Sequence, residues 1–219
     1  MFTNKFTASV DYLINNLNKA FKNIFETENK ELKKLLALKS ENWQDLSCPT
    51  TLSDGSIYIF SYELKLIKQA IFHIKNHKNE ELATSMTSIA IPIMESKIED
   101  YGTRVIVACI PSSRHSKINR GYNPSELLAK SLSKQLGAHF LPNLLVKTRE
   151  TESQKELSRS KRLSNVTNSM KPKDKYLGQI KDSIIIIVDD VVTTGATLRE
   201  AKRSLGNLPK QIICLALSH

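Results

Sequence analysis

An apolar run, Ile184 to Val188, ends on Asp189 and Asp190, and the chain continues Val191-Val192-Thr193-Thr194-Gly195-Ala196-Thr197. Two adjacent carboxylates at the end of a buried strand are unfavourable unless something pairs with them. Vicinal hydroxyls of a sugar suit that role. Each carboxylate can accept a hydrogen bond from a ring O–H, and the pair's charge favours a cation at the anomeric carbon. The next residues offer a complementary half. Gly195 allows a backbone conformation that other residues resist. Successive N–H groups from Thr193 to Thr197 can then converge, joined by the Thr193, Thr194 and Thr197 hydroxyls and the positive end of the following helix. A ribose with a terminal phosphate satisfies both halves.

Other readings of the stretch fit less well. A nucleotide-binding strand also ends in acids, but the GxxxxGK[ST] loop that accompanies it is absent, as is a dinucleotide GxGxxG. An ordinary strand–loop–helix turn capped by Thr197 needs one hydroxyl and no paired acids.

The elements that must position these groups alternate. Apolar steps of three and four from Phe6 to Ile24 predict a helix over residues 3 to about 39, either docked on its own domain or free to meet a partner. "CPTTLSDGS" from Cys48 reads as a turn-rich linker. Strands are expected at 57–60, 104–110, 139–146, 183–188 and 211–218, and helices at 62–75, 80–90, 124–136 and 197–205. Asn123 as N-cap, Pro124 at the first helical position and Gly137 at the end mark the 124–136 helix most clearly. Pro142 suggests an edge or a bulge in its strand. Residues 147–175 lack apolar periodicity and are expected to be a basic loop. Alternation of this kind implies an α/β fold with a mostly parallel twisted sheet flanked by helices. The chain divides into an N-terminal helical extension and linker, 1–56, and a main domain, 57–219.

Composition narrows the function classes. With 219 residues, 40% hydrophobic and 25% charged, the chain is that of a soluble globular protein. No apolar run approaches the ~20 residues of a membrane helix, and the start of the chain lacks a secretory signal pattern. Three well-separated cysteines, Cys48, Cys109 and Cys214, fit neither a disulfide framework nor a CxxC metal site. A cytoplasmic setting without a membrane partner follows. Cys109 is expected to be a buried apolar side chain, and His73, His77 and His139 lack metal-ligand spacing. The net charge of +10 lies wholly in residues 101–219, because the first hundred are nearly neutral. That asymmetry points to an anionic ligand, a phosphorylated metabolite or nucleic acid, against the plainer reading of a solvated basic face. Aromatics interleaved with bases, which would stack single-stranded DNA, are not evident.

The stretch "IIIIVDDVVTTGAT" resembles the phosphoribosyl-diphosphate (PRPP) signature of type I phosphoribosyltransferases. "VACIPSSRHSKINRGYNPSELLAKSLSKQLG", "VKTRETESQKELSRSKRLSNV" and "AIFHIKNHKNEELA" resemble, in turn, the pyrophosphate-loop region, the following basic segment and the lysine-bearing helix of the ComF-like, competence-associated family. The resemblance covers roughly 57–218. It lacks the four-cysteine module with which many members begin, and has Asn123–Pro124 where an asparagine–glutamine is usual.

The resemblance implies a phosphoribosyltransferase-type fold and transfer of ribose-5-phosphate from PRPP, with Mg2+, to an unidentified acceptor. Asp189 and Asp190 would hold the ribose hydroxyls, and Thr193, Thr194, Gly195, Ala196 and Thr197 the 5-phosphate. Ser112, Ser113, Arg114 and Arg120 would meet the pyrophosphate, with Arg120 counted beside the two aspartates as catalytic. Arg149, Gln154, Arg159 and Arg162 would close over the substrate, and Lys75 is a weaker candidate. No residue is assigned as a direct metal ligand. Two other functions remain open: a DNA-uptake factor binding single-stranded DNA, and a non-catalytic sensor of PRPP or a nucleoside monophosphate. The N-terminal helix could support a homo-oligomer or meet a protein partner.

Overall fold

The computed structural model describes residues 30–100, 102–148 and 168–219. Most of the helix expected over 3–39 lies outside them; residues 30–36 are helical. The chain falls into two units divided between Leu38 and Lys39.

In the second unit, helix α1 (Ser40–Leu46) leads into strands β1 (Ser47–Thr51) and β2 (Ile57–Phe60). Trp43 of α1, fully buried, meets Phe60 edge-on with ring centroids 6.1 Å apart. Three helices follow, α2 (Lys65–His77), α3 (Glu80–Ser88) and α4 (Ile91–Lys97). Next come β3 (Val105–Cys109), α5 (Arg114–Arg120), α6 (Pro124–Leu136) and β4 (His139–Phe140). A separate two-stranded ribbon pairs β5 (Leu145–Lys147) with β6 (Met170–Pro172) antiparallel. After a short helix α7 (Leu177–Ile180), the chain ends with β7 (Ile184–Val191), α8 (Ala196–Leu205) and β8 (Gln211–Ser218).

The main sheet has the order β1-β2-β8-β7-β3-β4, and only the β1–β2 pair is antiparallel. This is the mostly parallel, helix-flanked sheet that the alternation predicts. Strand β7 sits between β8 and β3, and its consecutive residues Ile184 to Val188, which point alternately to opposite faces of the sheet, are all buried, so both its faces are covered. That explains why it reads as an unbroken isoleucine run rather than an alternating one. Ile184 to Ile187 are all fully buried, each contributing on the order of 2 kcal/mol of apolar burial. On one face Ile185 and Ile187 join Ile106, Ala108, Leu198, Ala201 and Leu205 in a core beneath α8. Helix α6 packs against β7 and β3.

Several elements differ from the sequence reading for local reasons. The segment expected as a linker from Cys48 forms edge strand β1, closed onto β2 by a turn in which Leu52 N–H bonds to Ser56 O and Gly55 N–H to Leu52 O. Its polar, exposed side chains hid it, because an edge strand facing solvent needs no apolar alternation. The helix expected over 80–90 ends at Ser88, and a further helix, Ile91–Lys97, follows it with Pro92 in its first turn. The strand expected over 139–146 is interrupted, and its two pieces join different sheets. The strand expected at 183–188 runs on to Val191, carrying both aspartates within it. Helix α6 is as read: Asn123 Oδ1 accepts from Ser125 N–H, Pro124 opens it, and Gly137 closes it at φ +62°.

Candidate sugar-phosphate site

The topology creates a crevice where the aspartates emerge. From β3 the chain crosses through α6 to β4 on one side; from β7 it crosses through α8 to β8 on the other. The connections diverge at the carboxyl ends of β3 and β7, the place where open α/β sheets take ligands. Ile110 N–H bonds to Val188 O at 3.0 Å and holds the two strand ends together.

Asp189 and Asp190 have different surroundings. Asp189 Oδ1 accepts from Ser125 Oγ and from Asp190 N–H, each at 2.9 Å. Asp190 Oδ1 accepts from Val191 N–H at 2.7 Å, and its Oδ2 lies 3.3 Å from Lys75 Nζ on α2. Asp189 keeps some exposed surface, but protein crowds its carboxyl. Burial, and after it the Asp190 carboxylate, push it up to about 7, against the opposing pull of Ser125, Asp190 N–H and Lys75. The lysine gives the pair one internal cation and leaves Asp189 Oδ2 without a hydrogen-bond partner among the described residues. Neighbouring Cys109 is buried, and burial lifts its thiol to about 12, so it is an inert apolar filler as read.

The loop beyond β7 is held from both sides. Val192 N–H bonds to Ser218 O at 2.9 Å, and His219 Nε2 lies 3.1 Å from Thr193 O while its ring stacks on Tyr58 with centroids 4.9 Å apart. Gly195 then turns the chain at φ +70° and serves as N-cap of α8 without a side-chain cap bond. A left-handed residue here favours glycine, and a Cβ at this position would collide with Asp54 Oδ2. The first N–H groups of α8 lie at the positive end of the helix. Gly195 and Ala196 are buried, Thr194 and Thr197 half-buried, and Thr193 exposed. The acids and the loop are thus adjacent, at the end of one strand and the start of one helix.

The segment after β3 is not the open loop that the sequence suggests. Ser113 caps a short helix, its Oγ accepting from Ser116 N–H at 3.1 Å and bonding Ser116 Oγ at 2.8 Å; Gly121 closes it at φ +73°. Ser113's hydroxyl is therefore engaged in the cap. Ser112 is half-buried, and Arg114 and Arg120 stand exposed at opposite ends of α5. Arg149, Gln154, Arg159 and Arg162 lie outside the described residues. His115 is exposed, within 3.4 Å of Asn119 in the same helix.

The structure adds residues that spacing alone did not single out. Lys75, weakly weighted from sequence, reaches Asp190. Ser125 reaches Asp189, and Asn123 Nδ2 donates to Ile110 O at 2.9 Å while its Oδ1 caps α6. Tyr122 Oη donates to Ile74 O at 2.6 Å and accepts from Lys78 N–H at 2.8 Å, tying the end of α2 to the start of α6. Asp54 and Arg199 pair at 2.8 Å beside Gly195. Asn123 had a cap signal and Lys75 a place in the lysine-bearing helix; the others depend on which elements the sheet brings together.

The mostly parallel sheet thus carries an acid pair where its connections diverge, with a glycine-turned helix beside it. The family follows from comparison with known proteins: a model of the phosphoribosyl transferase domain matches residues 77–218, and the chain belongs to that family. Its relatives place it on the ComF-like branch. It is 34% identical over 152 residues to the DNA utilization protein YhgH of Escherichia coli O157:H7, covering 66% of this chain and 64% of that protein. It is 32% identical over 103 residues to competence protein F of Haemophilus influenzae, covering 45% and 43%. The chain thus spans less than two thirds of the length of these relatives. Among solved structures it is similar to the adenine phosphoribosyltransferase of Thermoanaerobacter pseudethanolicus, at 15% identity over 81% of this chain and 86% of that one, with a TM-score of 0.38. No described helix is long and apolar enough to cross a membrane.

Proposed function

We propose that the main domain, placed from the sequence at 57–219, binds PRPP at the carboxyl end of β7 and transfers its ribose-5-phosphate to an acceptor. The observation that carries this reading is the adjacency of the Asp189–Asp190 pair to the Gly195 turn and the start of α8. In this reading Asp189 Oδ2 and Asp190 accept the vicinal ribose hydroxyls, and the N–H groups and hydroxyls from Thr193 to Thr197 take the 5-phosphate. The negative pair also steadies the positive charge that builds at the anomeric carbon as pyrophosphate departs. Ser125 fixes the Asp189 carboxyl, and Lys75 holds Asp190 so that the pair presents its remaining oxygens in one orientation. Arg114 and Arg120 are proposed to approach the pyrophosphate from α5, with Ser112; Arg149, Gln154, Arg159 and Arg162 would add positive charge there.

Mg2+ suits this donor set. Asp189 and Asp190 are hard oxygen donors that would reach the ion through water, with substrate oxygens and further waters completing its shell. When bound, it would neutralise charge on the leaving pyrophosphate.

Calorimetric titration with PRPP and Mg2+ tests the site. The wild-type chain should bind, and Asp189→Asn combined with Asp190→Asn should remove binding. No measurable affinity in the wild type refutes the reading. Turnover of isotope-labelled PRPP with candidate bases separates transfer from a sensor that binds without chemistry.

A second reading, association with single-stranded DNA, draws on the printed names of the relatives and on the positive charge concentrated in residues 101–219. Phosphate contacts would make such binding steeply salt-dependent. Absence of a mobility shift at low salt would remove it.

A further inference from the structure

The Asp54–Arg199 pair lies against the turn that begins α8, and the sugar-phosphate reading gives it no role. Arg199 sits four residues after Gly195, one helical turn on, and folds back toward the helix start. Its Nη1 would be 2.9 Å from a Cβ at Gly195, and Asp54 Oδ2 would be closer still. Asp54 comes from the turn between β1 and β2. Its Oδ1 accepts from Ser56 N–H at 2.9 Å and its Oδ2 from Arg199 Nη1 at 2.8 Å. The Asp54 side chain is only 8% exposed, whereas that of Arg199 is 41% exposed. The Nε and Nη2 donors of Arg199 have no other partner among the described residues. Burial works to raise the Asp54 carboxyl, but the bonds from Ser56 and Arg199 outweigh it and hold the group below its ordinary value, so it stays anionic at neutral pH.

A buried internal anion, an arginine with spare donors and the positive end of a ten-residue helix therefore meet at one glycine. Arginine is the side chain best shaped to take two oxygens of a phosphate. A carboxylate this close to a bound phosphate would repel it, and would also compete with it for the same guanidinium.

We propose that Arg199 is a ligand of the terminal phosphate of the sugar, and that Asp54 is its stand-in, holding the guanidinium over Gly195 until a phosphate takes it. The proposal rests on the sugar-phosphate reading and adds to it. It makes affinity for the phosphate end of the ligand adjustable from the β1–β2 turn, which is remote in sequence from the Asp189–Thr197 stretch. It also gives Gly195 a second reason to be glycine: any side chain there would push the exchanged groups apart.

The test is calorimetry with ribose 5-phosphate on the full chain in five forms: wild type, Arg199→Gln, Arg199→Lys, Asp54→Asn and Asp190→Asn. Arg199→Gln should weaken binding roughly tenfold or more, the loss expected for a charge-assisted contact. Asp54→Asn, whose amide oxygen can still accept from Ser56 N–H, should strengthen it several-fold. Arg199→Lys, which keeps the charge but loses the fork, should fall between wild type and Arg199→Gln. Thermal melts confirm that each variant is folded. Unchanged affinity in Arg199→Gln overturns the proposal. So does a loss in Asp54→Asn that parallels the loss in Arg199→Gln, because the pair would then be only a brace for the turn. If Asp190→Asn weakens binding while Arg199→Gln does not, the sugar-phosphate site stands and this inference alone falls. If the wild type binds neither ribose 5-phosphate nor PRPP, both fall.

Discussion

Asp189→Asn should make the folded protein more stable at pH 8, and the gain should vanish toward pH 4. Burial and the adjacent Asp190 raise the Asp189 carboxyl from 3.8 to about 7. Between those values the folded chain holds a proton that the unfolded chain has released. Unfolding therefore releases protons in this window, and this group's contribution to stability falls as pH rises. Each pK unit corresponds to about 1.4 kcal/mol, so the upshift sets a ceiling of about 4 kcal/mol on the strain fully present above pH 7. Asparagine keeps the Oδ1 that accepts from Ser125 and Asp190 N–H and removes the charge. Some of the gain is lost because the new amide N–H2 needs a partner, so about 1–3 kcal/mol is expected at pH 8. The assay is urea unfolding of wild type and variant at pH 5, 6, 7 and 8, comparing midpoints at constant slope. A variant that is equally or less stable at pH 8, or a gap that does not change with pH, refutes the idea that this carboxylate is held against its own electrostatics.

Lys75→Met should destabilise the fold at pH 8 by about 1–3 kcal/mol, because it leaves Asp190 beside Asp189 without its cation at 3.3 Å; urea unfolding measures it, and high salt should not mimic the loss if the contact is as sheltered as it looks. Gly195→Ala should cost about 1–2 kcal/mol from the left-handed backbone alone and weaken ribose 5-phosphate binding by calorimetry, since its methyl group must displace Asp54. Tyr122→Phe removes a donor to Ile74 O and an acceptor for Lys78 N–H; a loss of about 1–3 kcal/mol in thermal or chemical unfolding is expected, with weaker PRPP binding because the helix carrying Lys75 loses its tie to α6.

The parts of this fold legible in the sequence are those whose physics is local. The β7 run is apolar throughout because both its faces are covered, and α6 announces itself by Asn123, Pro124 and Gly137. The acid pair and the Gly195 turn are contiguous, so their juxtaposition could be read without knowing the sheet. What was not legible is set by pairing at a distance. Strand β1 has exposed polar side chains and becomes a strand only because β2 offers a free edge. Ser125 looks like an ordinary first-turn helix residue until the sheet places α6 under the end of β7. Asp54 and Arg199 are 145 residues apart, and nothing in either neighbourhood signals the other. The helix α5 was missed for a different reason. Six of its seven residues are polar or basic and the seventh, Ile118, is exposed, so no apolar face reveals it, and only the Ser113 cap and Gly121 stop mark its ends.

Lys75 bears directly on whether a sugar can sit at the acid pair, because an internal cation could have neutralised the site outright. The geometry argues otherwise. The pair offers four carboxylate oxygens, and the lysine approaches only Asp190 Oδ2, at 3.3 Å, longer than a tight charge-assisted bond. Two other oxygens accept backbone or Ser125 hydrogen bonds that orient the carboxyls without quenching their charge, leaving Asp189 Oδ2 for a ligand. Burial first, and the Asp190 carboxylate second, raise Asp189 in spite of the lysine. The smaller part of that upward drive is negative potential from Asp190 that the lysine does not cancel. Such a potential burdens a fold that has no use for it, and sugar hydroxyls, a bound cation or a developing positive charge would each relieve it.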